Sequence, residues 1–206
     1  RGDRLDEPYK DFPAAWPGIY FRATSKDNVL NYAVIKNSYQ AVAVEDPSTN
    51  PTVPKLTLNQ CVIDNSYDYG IIALNTSITA NNCLVSNCGK NVALGKGGDY
   101  QFTHCTVVSY SNFFIQHKDP VLTLSDDNSG TPSPLDATFL NCIFWGENQS
   151  LENEVEVKKT GSNGVVKFEN VLWRVKTAPV NVNISPAAIN NQDPQFDSID
   201  VSKQYY

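Results

Sequence analysis

The chain has 206 residues, 41% hydrophobic and 18% charged, which is enough apolar matter for one sizeable core and too much for a disordered segment. Its net charge of −6 argues against nucleic acid, whose phosphates need basic partners. It contains no run of about 18 apolar residues, which argues against a transmembrane helix.

The chain holds no Met, which predicts a processed or excised piece of a longer protein, and no signal peptide is visible. The opening RGD (1–3) matches an integrin-binding tripeptide, but three residues match by chance, and the stretch reads as ordinary chain. The first patterned segment is LNYAVIKN (30–37). LNQCVIDN (58–65), ANNCLVSN (80–87), FTHCTVVS (102–109), FLNCIFWG (139–146) and FENVLWRV (168–175) repeat it. Aligned, they give a column Ala33, Cys61, Cys83, Cys105, Cys142, Val171. Two places on comes Ile35, Ile63, Val85, Val107, Phe144, Trp173, and three places before comes Leu30, Leu58, Ala80, Phe102, Phe139, Phe168. Alternation with a period of two marks each segment as a strand bent once in its middle. A further strand is predicted in each unit, at AVAV (41–44), GIIAL (70–74), NVAL (91–94) and NFFIQ (112–116).

A unit of three short strands with one apolar face cannot bury that face alone, whereas stacked copies can. The prediction is therefore an all-β fold, a single-stranded parallel β-helix of about six to seven rungs, in one domain over 1–206. Cys61, Cys83, Cys105 and Cys142 then stack inward, about 4.8 Å per rung. They are read as packing residues, since Cys83 and Cys88 alone are close together and no second pair completes a zinc site. The fifth cysteine leaves the count odd, and whether Cys88 pairs is open. The asparagines at the bends (Asn31, Asn59, Asn81, Asn82, Asn141, Asn170) suit left-handed backbone. Between the inward columns, Val34, Val62, Leu84, Thr106, Ile143 and Leu172 should form an outward apolar stripe, covered by a partner or by the insertions. Insertions are read at 46–55, 125–136 and 146–164, the last with a strand at EVEVKK (154–159). A C-terminal segment outside the rung pattern is read at 176–206.

The chain resembles the right-handed parallel β-helix repeat proteins secreted or displayed by Bacteroidetes-type bacteria. The N-C-x-[IVF] pattern at Asn82-Cys83 and Asn141-Cys142 carries the resemblance, with support from WPGIYF (16–21), RLDEPY (4–9) and DPQF (193–196). The resemblance implies a right-handed coil, in line with the handedness of parallel crossovers. It also implies export to the medium or the outer-membrane surface, and open ends that join the rest of the polypeptide or a second copy. It says little of function, because the scaffold hosts lyases, hydrolases, adhesins and spacers.

The G-H-G motif of pectinase-like hydrolases is absent. Asp126-Asp127 is the one D-D pair, and with Asn128 and Asp136 it offers oxygen ligands for calcium; no other cofactor is implied. His104 falls at a bend beside Cys105. His117, next to Lys118 and Asp119, could abstract a proton from a uronic acid, and with Asp127 it is a candidate for catalysis. On a strand, however, His117 and Lys118 would face opposite ways. Tyr67, Lys90, Lys96 and Asp99 are candidate ligand-binding residues, the last three within reach of Asp64 or Asp68 on a neighbouring rung. Sequons stand at Asn75, Asn148 and Asn183, relevant in a eukaryotic secretory pathway. Ten tyrosines favour stacking on sugar rings. The leading expectation is an exported scaffold without catalytic signature that binds glycan or another cell-surface component. The alternatives are a polysaccharide lyase or glycoside hydrolase on an acidic or host-derived glycan, and a plain spacer. An enzyme predicts three ionisable groups converging in one groove, and a binding protein predicts exposed aromatics along one.

Overall fold

The computed structural model describes residues 11–50, 52–147 and 151–199. RGD, RLDEPY and the Asn148 sequon lie outside them. Among the described residues the protein is all-β with no helix, and no segment forms a helix long and apolar enough to cross a membrane.

Each patterned segment supplies two strands, as the alternation predicts. The first halves pair in parallel from Asn28–Asn31 through Leu56–Asn59 to residues 76–81 and 98–103 of two long strands. They continue through Leu135–Leu140 and Val166–Glu169. The second halves form a separate seven-stranded parallel sheet that begins at Val34–Lys36 and Val62–Asp64. A third ladder runs from Ile19–Phe21 through Gln40–Glu45, then the opening halves of the long strands Tyr69–Asn81 and Lys90–Thr103, to Leu122–Ser125 and Val155–Lys158. The long strands join the first and third ladders into one eleven-stranded sheet, with a register shift between Leu74 and Thr76.

The aligned columns are the sheet registers. Leu30, Leu58, Ala80, Phe102, Phe139 and Phe168 stand opposite one another in turn, and all but Leu30 are buried. The rings of Phe139 and Phe168 stack at 5.0 Å and 11°, and Trp173 lies 4.8 Å from Phe168. The core thus passes from aliphatic at one end to aromatic at the other.

The bend between the first two ladders explains its own sequence. Tyr32, Gln60, Asn82, His104, Asn141 and Asn170 all have φ between 52° and 55°. That left-handed conformation suits Asn, costs Gln, His and Tyr more, and places His104 at a surface corner. Beside it, Asn59 Nδ2 donates to Asn31 Oδ1 (2.8 Å) and Asn81 Nδ2 to Asn59 Oδ1 (3.0 Å). The thiols act as donors at the same corner. Cys61 donates to Leu30 O (3.3 Å), Cys83 to Leu58 O (3.6 Å), Cys105 to Ala80 O (3.5 Å) and Cys142 to Phe102 O (3.5 Å). All five cysteines are buried and free, Cys88 included.

Three expectations differ from the structure. NFFIQ (112–116) is not a strand; the third strand of that unit is Leu122–Ser125. Its apolar run is used in a loop because Asn112 Oδ1 accepts both the Phe114 and Ile115 amides (2.8 Å each), turning the backbone. The segment read as leaving the pattern after residue 176 carries Asn183–Ile184 and Ile189–Asn190, which extend two ladders. In the 125–136 insertion, Asp127–Asn128 pairs antiparallel with Thr131–Pro132, so it is a hairpin rather than an open loop.

Candidate functional site

The segment between Thr106–Ser109 and Leu122–Ser125 is fastened at several points. Asn112 N donates to Ile115 O (2.8 Å), and His117 N donates to Ser111 Oγ (3.2 Å). The amide of Ser111 donates to Glu147 Oε1. His117 Nε2 lies 3.0 Å from both carboxylate oxygens of Glu154, and both side chains are buried. Gly146 makes room for them: a Cβ there would fall 2.3 Å from Glu154 Oε1 and 2.4 Å from His117 Nε2. Arg174 Nη1 donates to Gly146 O (2.7 Å) and closes the arrangement from the next repeat. His117 is therefore a buried fastening rather than an accessible base on a strand, and it does not meet Asp127, which is exposed and caps the Gly130 amide at 2.8 Å.

What the fastening holds up is an aromatic edge. Phe113 is 94% exposed, and its ring meets Phe114 edge-on at 5.1 Å; Phe12 meets Phe114 at the same distance. Tyr67, 56% exposed, stacks on Tyr39 at 5.8 Å and 23°. Between Tyr67 and Phe114 lies an open depression of about 300 Å³, also walled by Asp68, Lys90, Lys118 and Asp119. The Lys90 ammonium sits 5.3 Å from the Tyr69 ring centroid. Tyr69 foremost, then Asp119 and Asp68, hold Lys90 above its ordinary pKa, against partial burial. Lys90 thus stays protonated, suited to donating hydrogen bonds and not to accepting a proton. Gln40 Nε2 donates to Asp68 Oδ2 (2.8 Å) and fixes that carboxylate.

Two of the four binding candidates read from sequence, Tyr67 and Lys90, thus face one groove with Asp68. The other two do not. Lys96 is exposed at a different corner with φ 61°, and Asp99 stands opposite Asp136 in the first ladder. Asp64 is buried, paired with Lys36 at 3.0 Å and accepting from Ser86 Oγ at 2.7 Å.

The calcium ligands do not assemble. Asp126 is buried and accepts from the amides of Thr160 (2.8 Å) and Gly161 (2.6 Å), which ties the 125–136 hairpin to the following segment. Asp136 accepts from Val165 N (2.9 Å) and Asn128 Nδ2 donates to Ser133 Oγ (3.3 Å). Among the described residues no group of three or more His, Cys, Asp or Glu is placed to hold a metal ion.

Sequence reasoning missed Phe113, Phe114 and Glu154 as site residues. The adjacent phenylalanines mimicked a strand, and the His117–Glu154 contact spans 37 residues with no periodic signal. No protein-family model matches the chain, and no curated protein or solved structure matches it either.

Proposed function

We propose that the chain is a right-handed parallel β-helix of about six to seven rungs from an exported bacterial protein, and that it binds glycan along the groove beside residues 111–120. The coil is supported by the three parallel ladders and by registers that repeat the sequence columns. Export and a bacterial origin rest on the resemblance alone, as do association with further chain or a second copy at the ends and a place at the cell surface. The observation that carries the binding reading is the groove between Tyr67 and Phe114. Sugar rings present apolar faces to aromatics and hydroxyls to charged side chains, and this groove offers both side by side.

A second reading, a polysaccharide lyase or glycoside hydrolase, is favoured by the meeting of Asp68, Lys90 and Asp119 from successive repeats in that same groove. Screening the purified chain on immobilised glycans, with and without calcium, and assaying every bound glycan for new reducing ends or unsaturated products separates the two. Binding without product, lost in Tyr67→Ala, is the expected outcome. Product formation abolished by Asp119→Asn would replace binding with catalysis.

A further inference from the structure

The groove is part of a longer track. On one side of residues 111–120 lies an open depression of about 410 Å³, walled by Ser111, Gln116, Lys118 and Glu147. Gln116 and Lys118 also wall the Tyr67 depression of about 300 Å³. Lys90 and Asp119 wall both that one and a third of about 430 Å³, which continues over Tyr69, Ile72 and Ala93 on the outer face of the third ladder. Neighbouring depressions share wall residues, so the three lie side by side along this face, an arrangement that suits a chain rather than a compact ligand.

Its charge is balanced at every step. The first depression sets Lys118 against Glu147, with His117 committed to Glu154. In the second, Lys90 and Lys118 stand against Asp68 and Asp119. In the third, Lys90 and Lys158 stand against Asp119 and Glu156, and Lys158 Nζ already lies 3.1 Å from Glu156 Oε1. A polyanion is drawn into a groove of net positive charge, and neither the track nor a molecule of net charge −6 supplies one. Alternating fixed charges do suit hydroxyls, which donate to carboxylates and accept from ammonium groups.

Resting on the glycan-binding reading, we infer that the track takes an extended, uncharged polysaccharide, with ring faces on Tyr67 and Phe114 and hydroxyls bonded to Asp68, Lys90 and Asp119. This sets aside the acidic glycan that the sequence suggested as an alternative substrate.

Calorimetric titration with cello-, xylo- and manno-oligosaccharides, from about two to eight units, and with oligogalacturonates of the same lengths, tests it. At least one neutral series should bind, with affinity rising about tenfold or more from the shortest to the longest member as further depressions fill. The affinity should hold within about twofold between low and high salt. Tyr67→Ala and Lys90→Gln should each lower it about tenfold with an unchanged melting temperature. Preference for oligogalacturonate, or a steep loss with salt, would overturn the uncharged ligand and leave glycan binding standing. Affinity that is flat with length would overturn the extended one. If no oligosaccharide of either kind binds, the glycan reading falls and this inference with it.

Discussion

Cys61, Cys83, Cys105 and Cys142 each bring a small side chain with one donor to a main-chain carbonyl of the preceding repeat. The spacing of the cysteines told where they stack, because size and period are local properties. It could not tell of the hydrogen bonds, whose acceptors lie one repeat back. Cys105→Ala should cost about 1–3 kcal/mol in denaturant unfolding, the sum of a small void and an unpaired carbonyl. All five thiols should resist a thiol reagent until the chain unfolds; burial foremost pushes the Cys88 thiol up to about 12. Asp99 offers a test in acid. Burial, then the Asp136 carboxylate, raises it above its ordinary 3.8. The folded state therefore holds that proton more tightly than the unfolded state. The resulting stability is fully present below about pH 3.8 and is lost as pH rises through the raised value. Asp99→Asn should thus melt higher than the wild type at neutral pH and no higher in acid. Asp99 is only partly withdrawn from solvent, which screens both effects, so the gap should stay under about 1 kcal/mol.

The strands were the most legible elements, because alternation and bend residues are both written within a few positions. The segment 111–120 was misread because Phe113 and Phe114 are apolar for a reason other than burial. Its anchor is the buried His117–Glu154 pair over Gly146. Removing the carboxylate takes a buried hydrogen-bond partner from the His117 ring, so Glu154→Ala should lose about 1–3 kcal/mol. Gly146→Ala should displace the pair, since its Cβ needs the space both side chains fill. In either variant, hydrogen exchange at residues 112–119 should rise well above that of the ladders, whereas equal protection in variant and wild type would deny the anchor its role. Asp126→Ala should release the 125–136 hairpin at about 1–3 kcal/mol, because two amides lose their acceptor.

At the scale of the molecule, the registers make neighbouring repeats near-interchangeable. Leu58 stands opposite Ala80, and Val62 opposite Leu84, each 22 positions on. A chain lacking residues 59–80, with Leu58 joined to Asn81, should keep its β circular dichroism and one cooperative transition at a lower midpoint. A broad or absent transition would show that these repeats are not equivalent in energy. The architecture was legible as a whole because the period recurs through the chain. The groove was not, because it is made by an interruption of that period, and interruptions carry no pattern of their own.

The parallel ladders also bear on how the chain would carry load. Among the described residues each inner repeat is bonded edge to edge with the one before and the one after, so tension along the coil falls on the outermost ladder bonds first. Each repeat of 22 residues that peels away frees roughly 70 Å of slack. A molecule stretched between two anchor points would lengthen in steps, shedding force one repeat at a time, and the aliphatic end would yield before the stacked phenylalanines around Phe139 and Phe168.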